Sequence, residues 1–172
     1  MFSDPATNLS HLGLSEGMKV VDLGAGSGFY TFEAAKAVGG SGRVYAVEVQ
    51  KELLDRIRNT GTSKGLNNIE VIWGNVEKIG GTKLRDSMAD RVVASNILFQ
   101  IEKPEDFALE IKRILKPGGK VLVVDWSEVS PIGPKTFFSS TRAQTLFEKS
   151  GFKLDHSFAA GEHHYGLVFI RS

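Results

Sequence analysis

Apolar runs of strand length alternate along this chain with helix-length amphipathic segments, the pattern of a mostly parallel sheet covered on both faces. Seven runs read as strands: Lys19–Leu23, Arg43–Val49, Ile69–Trp73, Arg91–Ser95, Lys120–Asp125, Lys153–Ala159 and His164–Arg171. Helices are expected between the first five strands and before the sixth. Tyr30–Val38 follows the first strand. Lys51–Gly65 follows the second, with Leu53, Leu54, Ile57 and Leu66 in one apolar stripe and Gly65 as its stop. Pro104–Leu115 carries Glu105 and Asp106 at its positive end and Lys112, Arg113 and Lys116 at its negative end, before Pro117-Gly118-Gly119 breaks it. Thr141–Ser150 has Ser139 and Ser140 as caps and Gly151 as its stop. Only a turn near Gly161-Glu162 joins the last two strands, so they pair antiparallel. The expected α/β fold is a three-layer sandwich whose last strand alone runs against the others, an antiparallel addition at one edge. Residues 1–18 are expected to form a short helix or cap, with Asp4 as cap residue, Pro5 at the start and Leu9, Leu12 and Leu14 facing inward.

A length of 172 residues suits one domain, 1–172, with a proper core. The 21 Lys and Arg are interspersed among 20 Asp and Glu for a net charge of +1, which argues against a dedicated nucleic-acid surface. Cysteine is absent, excluding disulfides, thiolate metal sites and cysteine nucleophiles, and no metal is expected. No leader opens the chain and no apolar run approaches the roughly 18 residues that span a bilayer, so the expectation is a cytoplasmic protein with no membrane partner. The one long irregular stretch, Ser127–Phe138, is of a kind that often carries function.

The strongest chemical signal is Val20-Val21-Asp22-Leu23-Gly24-Ala25-Gly26-Ser27-Gly28-Phe29-Tyr30. A buried strand runs into alternate glycines, which permit a sharp turn, close approach of backbone to a ligand, and a helix whose first amides face the crevice. The dinucleotide fingerprint needs glycine at its sixth position, where Phe29 stands. Asp22, two positions before the first glycine, can instead accept from the ammonium group of an amino-acid nucleoside.

With these residues the chain resembles the class I S-adenosylmethionine-dependent methyltransferases, over essentially its whole length. The resemblance implies a Rossmann-like fold with S-adenosylmethionine as cofactor. Val21-Asp22-Leu23-Gly24-Ala25-Gly26-Ser27-Gly28 is similar to the family's first motif. Glu48, ending the second strand, matches the acidic residue that holds both ribose hydroxyls there, as a carboxylate can. Gly74-Asn75-Val76 resembles the segment that contacts adenine; an acidic residue is common where Asn75 stands, and its amide oxygen remains an acceptor. Leu115-Lys116-Pro117-Gly118-Gly119-Lys120 is similar to the structural turn before the family's fifth strand. The end of the fourth strand, at Ser95 and Asn96, corresponds to the position beside the transferable methyl, and lacks the tetrapeptide typical of members acting on exocyclic amines or glutamine. The expected cofactor-binding set is Asp22, Gly24, Ala25, Gly26, Ser27, Gly28, Glu48, Val49, Asn75, Val76, Ser95 and Asn96.

No catalytic residue is assigned; the candidates are Asn96, Tyr30, Asp125, His163 and His164, with Trp126 beside Asp125 at the acceptor side. The expected reaction is in-line displacement on the sulfonium methyl, in which alignment of two reactants matters most and a dedicated base can be absent. A small-molecule acceptor of the quinone-biosynthesis type is favoured over RNA or protein. A catalytically silent cofactor-binding subunit and a nicotinamide-dependent oxidoreductase are the alternatives from other classes.

Overall fold

The computed structural model describes residues 3–127 and 131–172. Seven strands form one sheet: β1 (Lys19–Leu23), β2 (Arg43–Glu48), β3 (Ile69–Trp73), β4 (Ala89–Ser95), β5 (Leu115–Trp126), β6 (Phe152–Gly161) and β7 (His164–Arg171). Their order is β3-β2-β1-β4-β5-β7-β6. The first five pair in parallel, and β7 is antiparallel to both β5 and β6, so β7 alone is reversed. This is the expected Rossmann-like architecture, with one refinement. The reversed strand is not at the edge; it is inserted between β5 and β6. The reason lies in the side chains: Leu167, Val168 and Phe169 of β7 are all buried and need cover on both faces, whereas β6 alternates buried and exposed positions and tolerates an edge.

Four helices of ten or more residues cover the sheet: α2 (Phe29–Val38), α3 (Lys51–Ser63), α4 (Pro104–Ile114) and α5 (Ser140–Lys149), after the short α1 (Pro5–Leu9). The N-terminal reading holds in detail. The Asp4 carboxylate accepts the Thr7 N–H at 3.0 Å, Pro5 opens α1, and Leu9 and Leu12 are buried. Phe107 of α4, Phe147 of α5 and Phe169 of β7 are fully buried, and the last two rings stack with centroids 4.7 Å apart.

Between β3 and β4 the expected helix is not there. Residues 74–88 form a succession of turns with no helix or strand. The segment is organised instead around the buried carboxylate of Glu110 in α4. Its Oε1 accepts the Gly80 N–H at 2.8 Å, and its Oε2 accepts the Thr82 hydroxyl at 2.7 Å and the Thr82 N–H at 3.2 Å. Arg113 closes the ion pair at 2.7 Å. Burial pushes the Glu110 carboxyl up, but these donors outweigh burial and hold it below its ordinary value. Of the long irregular stretch Ser127–Phe138, residues 128–130 lie outside the described residues. The remainder is irregular and ends on Phe138, whose carbonyl accepts the Tyr165 hydroxyl at 2.6 Å. Among the described residues no helix is long and apolar enough to cross a membrane.

Candidate cofactor crevice

The order of strands reverses at β1, whose neighbours are β2 on one side and β4 on the other. Crossovers leave in opposite directions there, so the carboxyl ends of β1 and β4 cannot both be covered and a crevice opens between them. Its volume is about 570 Å³, within the usual range for a small-molecule site.

The glycine turn forms its floor, and its three glycines do different work. Gly24, Gly26 and Gly28 have φ of +67°, +55° and +86°, a backbone region that favours glycine. A Cβ on Gly24 meets the flexible end of Ile97, and one on Gly28 meets Ile57 and Phe32 at 2.9 Å, so these positions let the turn pack against its neighbours. A Cβ on Gly26 comes no closer than 3.9 Å to any atom beyond its own chain neighbours. The space above Gly26 is therefore the crevice itself, a cradle that a side chain would fill.

Two buried carboxylates face this cradle. Glu48 Oε2 accepts the Gly26 N–H at 3.0 Å, while Oε1 accepts the N–H groups of Val49 and Gln50 at 3.0 and 3.2 Å. Two carboxylate oxygens have about four lone-pair positions, so capacity remains toward the crevice. Asp22, 3% exposed, accepts the Thr31 hydroxyl at 2.7 Å. Burial pushes its carboxyl up to about 6 against that hydrogen bond, and the neighbouring charge of Glu48 adds to the rise. A cation entering the crevice meets a carboxylate that gains by pairing.

Every residue of the expected cofactor-binding set lines the crevice, and so does Tyr30. Asn75 is exposed, and its Oδ1 accepts the Glu77 N–H at 2.9 Å in a local turn that fixes the amide's direction. Asn96 adopts φ +53° and donates its N–H to the Val124 carbonyl at 2.8 Å. That left-handed conformation turns the chain across the end of β4, and Asp125 holds the turn. Asp125 Oδ2 accepts the N–H groups of Ile97 and Leu98 at 3.1 and 2.8 Å. Asp125 was expected to face the crevice; it is fully buried and does not line it, because its acceptors are used on backbone donors. Burial nevertheless pushes it up to about 6, against these hydrogen bonds.

His163 and His164 do not line the crevice either. His164 is buried at the start of β7 against Trp126, ring centroids 4.4 Å apart. Sequence reasoning missed the wall supplied by Ser3 and Pro5, and also Gln100 and Ile101 beyond β4. Nothing local marks these residues, since the sheet brings them to the site from distant positions. Thr31 was legible in principle: a hydroxyl on the first turn of α2, on the face that packs back toward β1, needs a buried acceptor. Among the described residues no group of three or more His, Asp or Glu side chains is arranged to hold a metal ion.

A family model described as a methyltransferase domain matches residues 14–160. The ubiquinone/menaquinone biosynthesis C-methyltransferase UbiE of Haemophilus ducreyi is 30% identical over 120 residues, 67% of this chain and 44% of that protein. The arsenite methyltransferase of Halobacterium salinarum is 28% identical over 118 residues, 69% of this chain and 29% of that protein. The chain thus spans less than half the length of these two relatives. A SAM-dependent methyltransferase from Aquifex aeolicus superimposes with a TM-score of 0.88 at 29% identity, covering 98% of this chain and 90% of the other.

Proposed function

This chain belongs to the methyltransferase-domain family, and we propose that it moves a methyl group from S-adenosylmethionine to a small-molecule acceptor by in-line displacement. The observation that carries the reading is the cradle above Gly26, open to a ligand and faced by two buried carboxylates, Asp22 and Glu48. The assignment of the ribose hydroxyls to Glu48 and the methionine ammonium to Asp22 rests on this arrangement. When bound, the sulfonium supplies an already activated methyl group, which leaves alignment as the main task.

The chain's own residues serve that task. The glycine turn, with Ala25 and Ser27, gives close backbone approach, and Val49, Asn75 and Val76 bound the adenine end. Ser95 and Asn96 stand at the acceptor side with Tyr30. Asn8 Nδ2 donates to the Tyr30 hydroxyl oxygen at 2.9 Å, and Ser3 Oγ stands 3.5 Å from the same oxygen, which fixes the ring at the crevice wall. Alignment of this kind can supply roughly 7–11 kcal/mol of a barrier. The names of the two relatives, one a quinone-biosynthesis enzyme and one acting on arsenite, favour a small acceptor over RNA or protein.

Calorimetry with S-adenosylmethionine, S-adenosylhomocysteine and NADH tests the first half, with binding expected for the first two only. Release of S-adenosylhomocysteine in the presence of quinols, phenols and arsenite tests the second. Binding of NADH alone would overturn the cofactor, and binding without turnover over a broad panel would make the chain a silent S-adenosylmethionine-binding module.

A further inference from the structure

Four of the six large hydrophobic side chains that stand exposed among the described residues, Phe29, Val49, Trp73 and Ile79, line the crevice or the depression beside it. Phe29 follows β1, Val49 follows β2, Trp73 ends β3 and Ile79 stands in the segment beyond it. The three strands concerned are parallel, so these residues gather at their carboxyl ends, where the crevice opens. Phe29 and Val49 border the crevice and serve it. Trp73 and Ile79 do not.

The surroundings of Trp73 show what it is suited to meet. Its indole N–H donates to the Val49 carbonyl at 2.9 Å, so the exposed half of the ring has no polar requirement left. Lys51 Nζ lies 4.1 Å from the ring centroid and Lys83 Nζ lies 5.2 Å from it. Trp73, Ile79, Lys78 and Lys83 line one shallow depression of about 540 Å³. The acid beside it, Glu77, is turned to the N–H groups of Glu102 and Lys103 and does not pair with these lysines.

We propose that this rim docks on the surface of an anionic lipid bilayer, with Trp73 and Ile79 entering the headgroup boundary and Lys51, Lys78 and Lys83 meeting the lipid phosphates. An indole with an apolar half and flanking ammonium groups on long apolar stems is suited to that boundary. Each lysine at an anionic surface adds about 1 kcal/mol, a factor of roughly five in partition. Stacking of a nucleic-acid base requires a bare ring face, and ammonium groups already stand over the Trp73 ring. Surface docking needs no spanning segment, and it revises the expectation that no membrane takes part. It does not depend on the methyl-transfer reading, because its readout is partition into lipid.

The test is co-sedimentation of the full chain with vesicles of phosphatidylcholine, and of phosphatidylcholine mixed with phosphatidylserine. Binding is expected to the mixed vesicles only, weakening with salt. Lys78→Ala is expected to lower the partition roughly fivefold. Ile79→Asp should lower it further, while both variants keep wild-type thermal unfolding and S-adenosylmethionine affinity. The chain has two tryptophans, so Trp126→Phe leaves Trp73 as the only indole emitter. Its emission is expected to shift to the blue on binding and to be quenched by brominated lipid. Equal or no binding to the two vesicle types would overturn the proposal, as would binding that ignores both substitutions. A dimer that Ile79→Asp dissociates, or RNA that competes for Trp73 quenching, would assign the rim to another partner.

Discussion

Asp22 and Glu48 share one crevice and differ in the donors that hold them. Glu48 is fixed by three backbone donors, whereas Asp22 has the single hydroxyl of Thr31 and sits with its carboxyl at about 6. If ionised Asp22 binds the ammonium, S-adenosylmethionine affinity should fall as pH drops through about 6, and Asp22→Asn should flatten that dependence. Thr31→Val removes the bond that holds the carboxyl down, so the midpoint should move upward. Asp125 is pushed up to about 6 as well, so an inflection that survives Asp22→Asn belongs to another group and would refute the assignment. Folding has the opposite sign: with the folded value above the ordinary 3.8, stability is lost as pH rises from there through about 6. Asp22→Asn should therefore raise the Tm more at pH 7.5 than at pH 4. Glu48→Ala should weaken S-adenosylmethionine and S-adenosylhomocysteine alike by about ten- to a hundredfold, from charge-assisted bonds worth roughly 1.5–3 kcal/mol. Turnover at saturating cofactor should stay near wild type, as for an interaction made equally in ground and transition states. Because Glu48 also fixes the Gly26 N–H, Glu48→Gln, which keeps an acceptor oxygen, should recover part of the affinity in the same titration.

At the scale of elements, the glycine turn separates binding from packing. Gly26→Val should leave the protein folded, at a cost of roughly 1–2 kcal/mol for a left-handed residue, and abolish cofactor binding. Gly28→Val should instead lower the Tm sharply, because its side chain collides with Ile57 and Phe32. Calorimetry and thermal melts of the two variants distinguish these outcomes. Strands and helices were legible wherever one period ruled: β1, β3 and β7 have the ends that the apolar runs set. The segment 74–88 was not, because its order comes from Glu110, about thirty residues away, and no local period reports a partner at that distance. Nor did the sequence show that β7 enters the sheet inside β6, since a hairpin can add by either strand. The crevice floor was legible because it is one contiguous turn, and the strand ends at Glu48, Asn75 and Asn96 were legible through the family resemblance; the wall supplied by Ser3, Pro5, Gln100 and Ile101 was not. Glu110→Ala should cost about 1–3 kcal/mol in a urea titration, since it leaves the amides of Gly80 and Thr82 without their acceptor while Arg113 keeps Asp86.

At the scale of the whole molecule, the N-terminal cap joins residues far apart in sequence and closes one side of the crevice. Ser3 and Pro5 line it, Ser3 Oγ donates to the Ala160 carbonyl at 2.6 Å, and Asn8, 2% exposed, donates to that carbonyl and to Tyr30. The outer tie is His11, whose Nδ1 lies 3.0 Å from Nε2 of His156 on β6 while its ring stacks on Phe158 at 3.6 Å. One of these two nitrogens must lack a proton for the bond to exist. His156 also meets Asp155 through Nδ1 at 2.6 Å, and Lys120 stands 4.0 Å from the same carboxylate oxygen. Burial pushes His11 below its ordinary 6.5, and the charge of His156 pushes the same way. A histidine whose folded value is depressed is protonated more readily in the unfolded chain, so its contribution is present at higher pH and lost as pH falls through the ordinary range. Amide hydrogen exchange in α1 should therefore quicken between pH 7.5 and 5.5, after correction for intrinsic rates, while β1 and β4 keep their protection. His11→Phe retains the stacking on Phe158 and removes the titrating bond, so its α1 protection should no longer depend on pH. If wild-type α1 showed the same protection at both pH values, the histidine pair would be a packing contact with no hold over the cap. If it opened and His11→Phe opened equally, the proton would act elsewhere, and His164, also held below its ordinary value by burial, would be the next residue to replace.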